Sequence, residues 1–137
     1  MARQDYAISV IDRLEKKLDP LLYQNGFSAK LRESVESIFT EKMYYQKDKI
    51  EMQVSACMHP HDYPNSLNVR FVYKLYRDYR YIWIYDLVMT YGKNFTEDPL
   101  LIITDEQINS TLSILQGILS RIFNEKILDK WIEKENK

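Results

Sequence analysis

In two stretches in the middle of the chain every second side chain is apolar and the residues between are mostly polar, and this pattern limits the possible folds more than any other feature. Over Lys49 to Met58 every second residue is apolar, namely Ile50, Met52, Val54, Ala56 and Met58. Over Leu67 to Arg77 the corresponding residues are Leu67, Val69, Phe71, Tyr73 and Leu75. Successive side chains of a strand point to opposite faces of a sheet, so each stretch predicts a strand with one buried face.

Two further strands are predicted beside this pair. Residues 35–45 alternate less cleanly, and the polar segment Gln46 to Lys49 that follows them is typical of a hairpin turn. Residues 80–91 are apolar or aromatic on both faces, so we expect a strand covered by helix on one side and by a partner on the other. Ser28 to Ser34 is predicted as a connection. The strands at 35–45, 49–58, 67–77 and 80–91 together predict a four-stranded antiparallel meander.

Helices are predicted at both ends of the chain. Residues 5–24 carry apolar side chains at helical spacing, with an interruption expected at Asp19-Pro20 because proline has no amide hydrogen. Residues 105–132 show the same spacing, and Thr104 with Gln107 predicts a capping box at the start of this helix. We therefore expect a single α+β domain over residues 1–137, in which the two helices cover one face of the sheet.

Charge and composition argue against several classes of protein. Lys plus Arg is 19 and Asp plus Glu is 20, and the resulting net charge of -1 does not favour a dedicated nucleic-acid binder. No apolar run reaches the roughly 18 residues that a membrane span needs, and the single cysteine suits a reducing compartment. We therefore expect a cytoplasmic protein. The absence of glycine-rich phosphate loops and nucleophile elbows implies no cofactor and favours a role without catalysis.

One cluster of potential metal ligands is present. Cys57, His59 and His61 would share a face if the strand continued, and with Asp62 they could converge on a zinc ion. A metal-dependent hydrolase at this loop is therefore one functional hypothesis. Pro60 interrupts the strand geometry, and polar turns use the same residue types, so the competing interpretation is a solvated loop.

A second candidate site combines basic and aromatic residues between residues 70 and 84. The partner-binding residues predicted on an exposed sheet face are Arg70, Tyr76, Arg80, Ile82 and Ile84. Tyr, Trp and Arg are the residue types that anchor protein interfaces, so a protein partner or a second copy of the chain is the leading hypothesis. Aromatic side chains on an open sheet also stack single-stranded bases while arginines bind phosphates, which makes a nucleic-acid binder the alternative.

A family resemblance rests on the end of the first helix. The segment Leu18-Asp19-Pro20-Leu21-Leu22-Tyr23-Gln24-Asn25-Gly26-Phe27, followed by a run of strands, resembles the start of small bacterial domains of uncharacterised function. These domains have a helix, a sheet meander and a C-terminal helix, and some are immunity proteins for polymorphic toxins. The resemblance implies a non-enzymatic protein that neutralises a toxin by covering the toxin's active site. The protein-interaction hypothesis thus includes an immunity or chaperone-like role. The basic and aromatic sheet departs from the acidic surface expected of a nuclease inhibitor, so the class of toxin stays open.

Overall fold

The computed structural model describes residues 3–58 and 65–136. Among the described residues one helix comes first, five strands follow it, and three helices end the chain. They are α1 Arg3–Gln24, β1 Ser28–Val35, β2 Thr40–Lys47, β3 Ile50–Cys57, β4 Leu67–Leu75, β5 Asp78–Trp83, α2 Ile84–Thr90, α3 Ile108–Asn124 and α4 Ile127–Glu135. Single turns of 3-10 helix lie at Glu36–Ile38 and Gly92–Asn94.

The five strands form one antiparallel sheet in the order β1-β2-β3-β4-β5. The predicted α+β class and the antiparallel sheet are confirmed, but the predicted number of four strands is wrong. The additional strand is β1, which lies where Ser28 to Ser34 was predicted as a connection. Most of its side chains are exposed, so β1 lacks the buried alternation that identifies a strand in sequence.

The first predicted strand, 35–45, spans parts of two strands and the turn between them. Phe39 has a φ of 49°, a left-handed conformation that reverses the chain between β1 and β2. Beyond this turn the alternation of β2 is regular, and Met43 and Tyr45 are buried on one face.

The last predicted strand, 80–91, is correct only in its first half. The chain leaves the sheet after Trp83, and α2 follows at once. The buried residues of α2 are Ile84, Leu87 and Val88, a spacing of three and four that places them on one side of a helix. The apolar character of both predicted strand faces thus has a different cause, which is the change from strand to helix.

The terminal helices differ from the predicted ones in two places. α1 continues through Pro20 as a single helix, so the predicted interruption is wrong. The predicted helix 105–132 is divided into α3 and α4, and Lys126 between them has a φ of 54°. Thr104 accepts a hydrogen bond from the amide of Gln107 at 3.1 Å, which is one half of the predicted capping box.

The core lies between one face of the sheet and the helices. Strand residues on this inner face pack in one buried cluster with apolar residues of all four helices, and the fully buried members include Ile11, Leu14, Tyr45, Met52, Phe71, Leu87, Leu115 and Ile118. The opposite face, which we call the open face, carries the alternate side chains of every strand. On β3 and β4 these alternate side chains are exposed or half-buried, so no helix of the described residues covers them.

Candidate functional site

The open face is most aromatic where β4 and β5 pair. The register places Arg70 opposite Trp83, Val72 opposite Tyr81 and Lys74 opposite Tyr79. Because directly opposed residues of antiparallel strands project from the same face, basic residues of β4 and aromatic residues of β5 lie side by side. We call Arg70, Lys74, Tyr79, Tyr81 and Trp83 the aromatic-basic surface.

The side chains of the aromatic-basic surface are ordered by contacts with one another. The Arg70 guanidinium lies 5.0 Å from the centre of the Tyr81 ring and 5.3 Å from that of Trp83. Lys74 Nζ lies 5.7 Å from the centre of the Tyr79 ring. Such distances are within the range of a cation–π attraction. Tyr79 is nevertheless 75% exposed and Tyr81 57% exposed, so large ring surfaces remain in contact with solvent.

The five predicted partner-binding residues do not form one surface. Arg70 lies on the open face as expected. Tyr76 is exposed in the β4–β5 turn with a φ of 57°. Arg80 pairs with the buried Tyr73, so it projects from the inner face, and its guanidinium reaches Glu135 of α4 at 3.8 Å. The structure therefore separates Arg70 from Arg80.

The predicted exposure of Ile82 and Ile84 is wrong. Ile82 is 6% exposed and Ile84 2% exposed. Ile82 lies opposite the buried Phe71 and faces the core, while Ile84 begins α2. The physical reason is the register of the β4–β5 hairpin, which directs the odd-numbered residues of β5 to the open face.

Sequence reasoning did not include Trp83, Tyr81 and Tyr79 among the partner-binding residues. The length of the hairpin loop decides which side chains of β5 lie on the open face. Leu75 pairs with Asp78, so a two-residue loop at Tyr76-Arg77 sets the phase of β5. Counting forward from the buried Leu75 across this loop assigns Tyr79 and Tyr81 to the open face.

Charged residues elsewhere on the open face are largely paired with neighbours. Glu51 accepts hydrogen bonds of 2.7 Å from Lys30 and from Gln53. Burial alone would raise the pKa of Glu51, but these hydrogen bonds outweigh it and the pKa is lowered. Burial, together with a hydrogen bond to Glu33, raises the pKa of the Tyr44 hydroxyl. Glu33 and Glu51 thus each accept a hydrogen bond from a neighbouring side chain on the β1–β3 side of the sheet.

The predicted metal site falls mostly in a part of the chain that the structure does not describe. His59, His61 and Asp62 lie outside the described residues, so the metal and hydrolase hypotheses stay predictions. Cys57 ends β3, and its thiol donates to the carbonyl oxygen of Ile38 at 3.5 Å. Within residues 3–58 and 65–136, no group of three or more His, Cys, Asp or Glu side chains is placed to hold a metal ion.

Length and polarity of the helices also bear on the predicted absence of a membrane span. None of the helices in the described ranges combines the length and the apolar character needed to cross a bilayer.

Comparison with known proteins gives no match for this chain. No family model matches this chain, and no curated protein or solved structure is similar to it.

Proposed function

We propose that this chain is a protein-binding domain without catalytic activity, which holds its partner against the aromatic-basic surface. The observation that carries the proposal is the row of exposed rings on β5, where Tyr79, Tyr81 and Trp83 project from a sheet face that no described helix covers. Contiguous exposed apolar surface of this kind is typical of interaction sites.

The composition and order of the surface support this proposal. Tyr, Trp and Arg are the residue types whose truncation most often weakens protein complexes. Arg70 and Lys74 already hold the three rings through cation–π contacts. Because side chains that are ordered before binding lose less entropy on association, this arrangement favours a stable complex. An immunity protein or a chaperone would use a non-catalytic face in the same way.

Single-stranded nucleic acid is the second candidate, because basic residues of β4 lie beside aromatic residues of β5 on this face. Base stacking needs ring faces that lie open. The Arg70 guanidinium lies over both Tyr81 and Trp83, and these rings meet edge to face at 79°. One face of each ring is thus shared with a cation, which favours a protein partner.

The test is partner capture from a lysate of the source organism, with wild type beside Tyr79→Ala/Tyr81→Ala. Tyr23→Ala is the matched control, since Tyr23 is a 52% exposed tyrosine on α1. We expect a protein that wild type and the control retain and the double variant loses. The captured protein is then purified, and calorimetry should give a Kd at least about tenfold weaker for the double variant.

Two other measurements decide between the alternatives. Light scattering on wild type and on the double variant tests a homodimer, which should dissociate in the variant alone. Fluorescence anisotropy with labelled single-stranded DNA and RNA tests the second candidate, whose affinity should fall steeply with salt. A monomeric wild type that retains no protein would overturn the proposed function, whatever the anisotropy shows.

A further inference from the structure

A shallow depression of about 260 Å³ lies on the open face beside the aromatic-basic surface. Lys42 of β2 and Arg70 of β4 contribute cationic side chains to it, Ser55 and Asn68 contribute polar groups, and Trp83 forms part of the wall. No carboxylate of the described residues lines it. The depression is therefore positively charged, although the whole chain has a net charge of -1.

The two cations in this depression, Lys42 and Arg70, form no ion pair with an acid of the described residues. Arg70 donates through Nε to Gln53 Oε1 at 2.7 Å, which fixes the guanidinium without compensating its charge. Glu33 lies opposite Lys42 across the β1–β2 pair and accepts from the Tyr44 hydroxyl, while Glu51 accepts from Lys30 and is also under the electrostatic influence of Arg70. Neither carboxylate lines the depression.

A second depression, of about 230 Å³, adjoins the first and is mainly apolar. Asn68 and Trp83 line both depressions. On the far side, the wall includes Leu100, which is 59% exposed, and Tyr85, which is 44% exposed. A cationic site and an apolar site thus lie next to each other and share the Trp83 side chain.

We propose that these adjoining depressions bind an acidic and apolar segment of the partner protein. A carboxylate of the segment lies between Lys42 and Arg70, and a neighbouring apolar side chain packs against Trp83 and Leu100. Charge complementarity carries this assignment. Half-buried cations form their strongest hydrogen bonds with an anionic group, and the adjoining apolar depression favours a segment that also carries an apolar side chain. The inference rests on the proposed protein-binding function and names the chemistry of the partner.

The direct test uses a blocked peptide in which Asp and Leu alternate, titrated into isotope-labelled protein and followed by amide NMR. We expect saturable shifts at Ser55, Asn68 and Arg70 and at the Trp83 indole N–H. A peptide of alternating Asn and Leu should bind more weakly, and one of alternating Lys and Leu should not bind. Equal binding of all three peptides, or no saturable shift with the acidic one, would overturn the inference. The inference would also be overturned if hexanoate bound as tightly as the acidic peptide, because that result would identify a small-molecule site.

Variants test the two cations. Lys42→Gln/Arg70→Gln should weaken binding of the acidic peptide by about fivefold or more, since two half-exposed ion pairs to the peptide are lost. Lys16→Gln/Lys17→Gln is the charge-matched control, because both lysines are exposed on α1 and the net charge changes equally. Arg70→Lys with Lys42 intact should keep most of the affinity. A loss in the control variant equal to that in the test variant would show a general charge effect and contradict the site.

The outcomes separate this inference from the proposed function. If a captured partner depends on Tyr79 and Tyr81 but binds Lys42→Gln/Arg70→Gln as tightly as wild type, the protein-binding function stands and the acidic segment is wrong. If no partner is captured but the acidic peptide binds at Ser55 and Asn68, the depression binds anions and the proposed function fails.

Discussion

The Arg70 guanidinium lies 5.3 Å from the centre of the Trp83 ring, and the two residues are directly opposed across the β4–β5 pair. Trp83 is 37% exposed in this arrangement. Arg70 thus covers part of an indole that would otherwise face water, and the same contact joins the aromatic-basic surface to the cationic depression. A change at Arg70 should be visible in the fluorescence of Trp83.

The first prediction concerns this contact. Trp131→Phe leaves Trp83 as the sole tryptophan, and in that background Arg70→Ala should move the emission maximum to longer wavelength because the indole becomes more hydrated. The free energy of unfolding should fall by about 0.5–1 kcal/mol, the contribution of an exposed cation–π pair. Emission spectra and urea titrations measure both effects. Arg77→Ala, an exposed arginine in the adjacent loop, is the control, and an equal shift there would contradict the contact.

The second prediction concerns the phase of β5. Ile82→Asp should lower the free energy of unfolding by about 4 kcal/mol or more, because it places an unpaired carboxylate in the core. Tyr81→Asp changes the neighbouring, exposed residue and should lower it by less than about 1 kcal/mol. Urea unfolding followed by circular dichroism measures the pair. Similar losses in both variants would mean that the register is different.

The third prediction concerns the attachment of β1 to α1. Arg32 bonds Glu41 Oε2 at 2.5 Å and Asp12 Oδ1 at 2.6 Å, and the Glu41 side chain is only 4% exposed. Ser34 also donates to Glu41. Arg32→Ala leaves a buried carboxylate without its cation and should lower the free energy of unfolding by about 3–5 kcal/mol.

A double-mutant cycle tests whether this loss comes from the pair. Arg32→Met/Glu41→Met removes both charges and should be more stable than Arg32→Ala, since the uncompensated carboxylate is then absent. Chemical denaturation of wild type, Arg32→Met, Glu41→Met and the double variant provides the coupling energy. Additive losses would show that Arg32 and Glu41 act independently.

The strands that were predictable from sequence are those with one buried face. β3 and β4 lie centrally, and their burial alternates residue by residue. The alternation of apolar residues in the sequence therefore predicts both strands. β1 is an edge strand that pairs with β2 on one side only, and Leu31 of β1 is 54% exposed. β1 buries little on either face, so composition alone does not distinguish it from a loop.

The candidate site was predictable in composition but not in detail. Arg70 was assigned to the correct face of the sheet because it lies on a strand of clear alternation. The phase of β5 depends on the Tyr76-Arg77 turn, in which Tyr76 has a φ of 57°. Turns with positive φ are usually marked by Gly or Asn, and neither occurs here, so the sequence carries no marker for the length of the loop. The depression at Lys42 is lined by residues of four strands, β2 to β5, and is a property of tertiary structure.

The fourth prediction concerns Pro20, which lies inside α1 and is exposed. A proline in a helix interior removes one backbone hydrogen bond and crowds the preceding turn. Pro20→Ala should therefore raise the free energy of unfolding by about 1–3 kcal/mol. Thermal and urea unfolding measure the gain. Lys16→Ala, one turn earlier and also exposed, is the control for helix propensity alone, and an equal gain in both variants would mean that proline imposes no strain on α1.

The fifth prediction concerns stability at alkaline pH. Tyr45 is fully buried and donates to Asp19 Oδ1 at 2.7 Å. Burial first, and then the hydrogen bond to Asp19, raises the pKa of its hydroxyl above the ordinary 10.0. The unfolded chain therefore loses this proton at lower pH than the folded protein does. The stabilisation is complete below pH 10.0 and is lost as the pH rises above it.

Replacing the Tyr45 hydroxyl tests this linkage. Tyr45→Phe should be less stable at neutral pH by about 1 kcal/mol, because the hydrogen bond is lost. Above the ordinary tyrosine pKa, however, its free energy of unfolding should decline less steeply than that of wild type, by up to about 1.4 kcal/mol per pH unit. Urea titrations between about pH 8 and pH 11 measure the slopes. Phe71→Leu also perturbs the core but removes no titratable group, so it should keep the wild-type slope. A Tyr45→Phe curve parallel to wild type would mean that the buried hydroxyl does not govern alkaline unfolding.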